Sequence, residues 1–220
     1  PADRVDVLVG VALGSPAVCA LRSLSRVAGQ PISWNTSLLG GAARIGWGFR
    51  ALYSGADATA AVRATSPAAA FWRSALDYGV AGHLQAVLDE YLHLLKDWRG
   101  FLTDAGAEII GDLADTAYNA LSLRTVNYAT DVPVADGNSI SVGRHTMRGR
   151  FAIRFGDQSL EGEQRQQRAQ QASQAFNSPF WPFVLTTTSI GQEGLDFHLY
   201  SHAVVHWNLP SNPVDFEQRE

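Results

Sequence analysis

From His83 onward the apolar residues Leu84, Val87, Leu88, Tyr91, Leu92, Leu95, Trp98 and Leu102 recur at intervals of three and four. That is the period of an α-helix with one apolar face, sustained for about five turns. A stripe of this length has to be buried against other elements, so the chain must build a packed core. With 220 residues, 46% of them hydrophobic, it can supply that core as one large domain or two small ones. The 20 glycines and 9 prolines follow no fixed period, which excludes collagen-like, solenoid and low-complexity architectures.

Two further segments share a helix grammar of cap, proline, apolar stripe and glycine stop. Ser15-Pro16 leads through Ala17, Val18, Leu21 and Leu24 to Gly29, and Ser66-Pro67 leads through Phe71, Trp72, Ala75 and Leu76 to Gly79. Between them, Asn35 to Gly55 carries Gly40, Gly41, Gly46, Gly48 and Gly55 among aromatics and reads as a long irregular connection. Another helix is expected over Ala107 to Leu121. Beyond Ser122 the pattern changes. Leu123 to Val134 and Ser139 to Thr146 alternate β-branched residues on either side of Ala135-Asp136-Gly137-Asn138, a hairpin signal. Strands are expected at Phe151 to Phe155, Phe183 to Thr187 and Ala203 to Trp207, with an exposed Gln-rich helix over Glu161 to Phe176. Asn212 and Pro213 open a last helix. The expected fold class is therefore α/β, with a mainly helical segment over 1–121 acting as linker or insertion and an α/β portion over 122–220.

The net charge of −4 and pI near 5.9 give no global basic field that would draw the chain to nucleic acid. The helical stretch from His83 to Thr116 is locally acidic, with seven carboxylates against Lys96 and Arg99. Cys19, the sole cysteine, excludes an internal disulfide, a cysteine-based zinc site or an iron–sulfur cluster within one chain, and fits a reducing, cytoplasmic compartment. The most apolar run, Val7 to Leu21, is interrupted by Gly10, Gly14, Ser15 and Pro16 and reads as too short to span a bilayer, so no membrane partner is expected. The start lacks both methionine and a basic signal region, and the chain reads as a fragment.

The stretch from Val184 to Phe197, VLTTTSIGQEGLDF, is a strand emptying into a polar, glycine-bearing turn, the place where α/β sheets hold ligands. Gly191 and Gly194 allow backbone N–H groups to approach a phosphate or ribose, Thr188 and Ser189 offer hydroxyls, and Asp196 offers a carboxylate. Some ten residues later follows VVHWNLPSNPVDFEQRE, from Val204 to Glu220. In this order the two stretches resemble motifs V and VI of the superfamily 2 helicases and translocases, in the second RecA-like domain. The nearest flavour is that of the bacterial Swi/Snf-type ATPases and helicase-related proteins. The likeness covers about 176–220, roughly a fifth of the chain, and implies an incomplete RecA-like parallel sheet domain.

By that resemblance Thr188 and Ser189 stand where the motif contacts the nucleic-acid backbone and couples it to the ATP site, while the nucleotide-binding Gly191, Glu193 and Gly194 form the turn. Asp196 lies near the ribose, and Gln218 and Arg219 open motif VI, whose later arginines stabilise charge on the transferring phosphate. The resemblance implies ATP and Mg²⁺ as cofactors of an intact protein and DNA or RNA as its partner. It also implies a first RecA-like domain, which this chain lacks. No catalytic set is complete here. A phosphate-binding loop needs a glycine-rich turn followed by Lys and Ser or Thr, whereas Lys96, the only lysine, precedes Asp97 on the amphipathic helix. The expected function is an ATP-dependent helicase fragment, inactive alone; the alternative is a non-catalytic protein- or nucleic-acid-binding module with a degenerate RecA-like half.

Weaker candidates have bland readings beside them. Arg144, His145, Arg148, Arg150 and Arg154, interleaved with Phe151 and Phe155, form either a nucleic-acid track or a solvated strand face, the latter being the default. His198, His202 and His206 are four apart but span a turn and a strand, so no metal site is assigned. Asp89-Glu90 reads as a solvated helix face, Gly46-Trp47-Gly48 as simple packing, and Cys19 as a small core residue.

Overall fold

The computed structural model describes residues 2–32, 35–65, 70–101, 106–123, 126–137, 139–149, 173–180, 183–185, 199–206 and 212–214. Seven helices and one hairpin occupy these residues, a mixed α/β content in which helix dominates. The helices are α1 (Ala2–Gly14), α2 (Pro16–Val27), α3 (Thr36–Tyr53), α4 (Ala56–Thr65), α5 (Phe71–Val80), α6 (His83–Trp98) and α7 (Gly106–Leu121). Strands β1 (Val126–Asp136) and β2 (Ser139–Gly149) follow.

The expected stripe on α6 is buried at Leu84, Leu88, Tyr91, Leu92 and Leu95. The helix closes at Trp98, where Gly100 takes a left-handed φ of 69°. α2 begins at the expected Ser15-Pro16 and lies between α3 and α6, burying Cys19, Ala20, Leu24 and Val27. α7 matches its expected span within a residue and lies against α3 with Ile110, Leu113, Ala114, Ala117 and Leu121 inward.

The largest departure from the sequence reading is α3. The segment read as an irregular connection is an 18-residue helix. Leu38, Ala42, Ile45, Phe49 and Leu52 fall at helical spacing and are all buried, and the Asn35 side chain accepts the Ser37 N–H as N-cap. Its glycines serve packing. A Cβ on Gly41 would lie 3.0 Å from Ile110 and 3.1 Å from Leu24, one on Gly46 3.0 Å from Ala17, and one on Gly48 2.9 Å from Leu121. Glycine lets α2 and α7 approach α3 at distances a larger residue would prevent, which offsets its entropic cost in a helix of about 0.5–1 kcal/mol per site.

Two other boundaries differ. α5 starts after Ala70, with Ser66 and Pro67 outside the described residues. At the N-terminus, Arg4–Val27 taken as one 24-residue run is long and apolar enough to cross a membrane, where the sequence reading judged Val7 to Leu21 too short. It is nonetheless two helices. Ser15 sits at φ −66°, ψ 145°, outside helical space, and α2 is drawn into the core while α1 packs on α5.

The hairpin falls where the sequence placed it. β1 and β2 pair antiparallel from Val126↔Gly149 to Asp136↔Ser139, and Gly137 supplies the positive φ of the turn. Among the described residues this is the only sheet. Of the strands expected at Phe183 to Thr187 and Ala203 to Trp207, which a RecA-like sheet would pair in parallel, 183–185 and 203–206 are described, and neither joins a ladder. Val184 and Val205 are 76% and 87% exposed, so these portions do not have the burial that a central parallel strand requires. The strand expected at Phe151 to Phe155 and the helix over Glu161 to 172 lie outside the described residues; 173–176 forms one helical turn.

Candidate functional site

The residues assigned to nucleotide and nucleic-acid contact, Thr188, Ser189, Gly191, Glu193, Gly194, Asp196, Gln218 and Arg219, all lie outside the described residues. Their flanks are described. On the N-terminal side, Ala175, Asn177, Ser178 and Phe180 are buried. The Ser178 hydroxyl donates to the Ala175 carbonyl at 2.6 Å and accepts the Phe180 N–H at 3.3 Å, a local turn that aims the Phe180 ring into the helical body. There it meets Phe49 of α3 edge-on, with centroids 5.4 Å apart, and Tyr91 of α6 edge-on, also at 5.4 Å.

On the C-terminal side Tyr200 returns to the same place, its centroid 6.3 Å from that of Tyr91. Tyr91 is thus in contact with residues on both sides of the motif. Burial pushes the Tyr91 phenol far above its ordinary range, with the neighbouring Tyr200 adding to the rise. The Tyr200 phenol is pushed up to about 12 by burial and by the Glu90 carboxylate. Neither hydroxyl has a hydrogen-bond partner among the described residues, so ring packing carries this junction. Further along, Asn212 Oδ1 accepts the Val214 N–H at 3.1 Å and 213–214 is helical, the cap expected at the start of the last helix.

The remaining chemistry-bearing candidates have structural roles. Lys96 Nζ donates to the Val27 carbonyl at 3.0 Å and so caps the C-terminus of α2. Asp89, read from sequence as a solvated position, is half-buried between α6 and α2. It accepts from the fully buried Ser23 hydroxyl at 2.7 Å and from Gln85 Nε2 at 3.1 Å, and pairs with Arg26, because helix contact at this point encloses polar groups that need partners. Glu90 is exposed as expected. Cys19 is buried, and burial raises its thiol pKa, the opposite of what an activated nucleophile needs.

Of the basic cluster, the side chains of Arg144 and His145 are described and both are exposed. As neighbours on β2 they belong to opposite faces of the hairpin, with Arg144 opposite Asp131 and His145 opposite Thr130. A single continuous basic face is therefore not formed by this pair. No group of three or more potential metal ligands occurs among the described residues. The His202 ring nitrogen Nδ1 contacts the Tyr200 carbonyl at 2.6 Å.

Sequence reasoning missed the junction of Phe49, Tyr91, Phe180 and Tyr200. Its only signal was an aromatic embedded in the Asn177-Ser178-Pro179-Phe180 turn just ahead of an expected strand. No protein-family model matches this chain, and neither a curated protein nor a solved structure matches it significantly.

Proposed function

We propose that this chain is part of an ATP-dependent superfamily 2 helicase or translocase, carrying motif V and the start of motif VI of a second RecA-like domain. The observation that carries the reading is the occurrence, in order, of TTTSIGQEGLDF over 186–197 and LPSNPVDFEQRE over 209–220. The Asn212 cap accords with a helix beginning where motif VI needs one. In this reading Thr188 and Ser189 face the nucleic-acid backbone, Asp196 the ribose, and Gln218 and Arg219 lead toward the transferring phosphate.

The residues present do not make up a complete ATP and Mg²⁺ site. Lys96 is engaged with the Val27 carbonyl, and Asp89 with Ser23, Gln85 and Arg26, so neither is free to hold a phosphate or a cation. No hydrolytic step is assigned to this chain; the P-loop lysine and the Mg²⁺ carboxylates belong to a first RecA-like domain. The reading frame of the source gene tests this. A Gly-Lys-Thr or Gly-Lys-Ser loop upstream of Pro1 and a Gly-Arg followed by a further arginine downstream of Glu220 are expected. Stop codons close to both ends would sink the helicase reading and leave a binding module.

A further inference from the structure

We propose that the outer edge of β2 is a docking strand, to which an extended, acidic segment of a partner protein adds as a third strand. The hairpin is the only sheet among the described residues, so each of its strands has one unpaired side. Asp131 to Ala135 and Ser139 to Thr146 are exposed, apart from the half-buried Gly143, so this part of the ribbon is covered on neither face. Two strands without a covered face are marginally stable in water, and a third strand is one way to stabilise them.

The two edges are not alike. Pro133 has no N–H, yet the ladder runs unbroken through Pro133↔Val142. In an antiparallel pair only alternate residues exchange hydrogen bonds across the ladder, so this pair belongs to the set whose N–H and C=O groups point away from it. By the period of two, Asp131↔Arg144 and Ala135↔Ile140 belong to the same set. The β1 edge therefore lacks its central donor, a device by which natural sheets block further pairing. β2 has no proline, and among the described residues nothing meets the outward N–H and C=O groups of Ile140, Val142 and Arg144.

The side chains on this edge define the partner. Ile140 and Val142, 77% and 69% exposed, share one face with Arg144. β2 carries Arg144 and Arg148 and no acidic residue, and within the hairpin Arg144 stands opposite Asp131. β1 thus shows the pattern that fits, with apolar residues opposite Ile140 and Val142 and a carboxylate opposite Arg144. The open edge takes the same pattern, with an N–H where β1 has Pro133. In strand addition of this kind main-chain bonds supply affinity and alternate side chains supply specificity.

The test uses the full-length protein encoded by the gene and two synthetic peptides of the β1 sequence 127–136, one with Pro133 and one with Pro133→Val, which restores the central N–H. Fluorescence anisotropy reads binding, and hydrogen exchange reads protection of the Ile140, Val142 and Arg144 amides. The Pro133→Val peptide is expected to bind at least about tenfold more tightly than the proline peptide, and to slow exchange at all three amides. Arg144→Glu in the protein should weaken its binding about two- to fivefold at low salt. Val142→Pro, at an outward position, should abolish binding and leave the circular dichroism of the protein unchanged; if that variant does not fold, the two peptides on the wild-type protein decide. Equal affinities of the two peptides, no binding up to about 1 mM, or no new protection in β2 would overturn the docking strand. Self-association through β2 that excludes the peptide, or its displacement by single-stranded DNA or RNA, would overturn the assignment of this edge to an acidic partner strand.

Discussion

Gly79 on α5 faces Gly14 on α1 so closely that a Cβ built on it would stand 2.0 Å from the Gly14 carbonyl oxygen. Backbone meets backbone here, with no flexible side-chain end that could yield. α1 leaves Leu8 68% exposed and is held by this contact, by the seat of Gly10 on Leu76 and by the Arg22 guanidinium of α2, which donates to the Leu13 carbonyl at 2.6 Å. Gly79→Ala should destabilise the protein by about 1–3 kcal/mol through forced separation of the two helices. Gly111→Ala on α7, where a Cβ meets nothing within 4 Å, should stabilise by about 0.5–1 kcal/mol. Urea midpoints of the two variants check both signs; similar destabilisation by both would contradict the packing account.

The phenols give a pH dependence. Burial raises the Tyr91 and Tyr53 pKa values strongly and pushes Tyr200 up to about 12, against about 10 in an unfolded chain. With the folded values raised, stability is whole below about pH 10, where the phenols are neutral in both states. It falls as pH rises from about 10 toward 12, because the unfolded chain ionises first. Tyr91→Phe should remove part of that alkaline decline. At neutral pH it should also be neutral or stabilising by up to about 1 kcal/mol, since it deletes a buried hydroxyl with no partner among the described residues. Unfolding free energies across pH 7 to 12 measure both effects, and a flat alkaline limb in wild type would contradict the account.

Asp89 should be costly to remove. Asp89→Ala leaves the buried Ser23 hydroxyl without its acceptor and takes one of three acceptors from the Gln85 amide, which keeps the Ser23 hydroxyl oxygen and the Cys19 carbonyl, a loss of about 1–3 kcal/mol. Ser23→Ala alone should cost less, and a double-mutant cycle should give a coupling of about 0.5–3 kcal/mol. Strict additivity would show that the two groups do not interact in solution.

The hairpin should behave oppositely. Ile140 is 77% and Val142 69% exposed. Ile140→Thr should therefore change stability by less than about 0.5 kcal/mol in chemical denaturation. A loss of several times that would show that this surface is covered.

Elements with one dominant signal were legible from sequence. α6 and α7 have an unbroken apolar period, α2 a Ser-Pro start, and the hairpin an Asp-Gly turn between alternating runs. α3 was not, because five glycines in 35–55 suggested a loop. The stripe Leu38, Ala42, Ile45, Phe49, Leu52 was present but outweighed, since single-sequence reasoning cannot tell a glycine that relaxes the backbone from one that admits a neighbouring helix. Asp89 was misread for a similar reason: its partners Ser23 and Arg26 are more than 60 residues away in sequence. The stretches that resemble motif V and the start of motif VI are local sequence patterns, and their assigned residues lie outside the described ones. The junction at Tyr91 was not, as Phe180 and Tyr200 come to it only through the tertiary fold.

The helicase reading is tested most directly by ATP hydrolysis in the full-length protein, measured against rising DNA and RNA concentrations. Hydrolysis that increases with nucleic acid and falls sharply on Arg219→Ala is the expected result. Turnover no greater than a mock preparation, with either nucleic acid present, would contradict it.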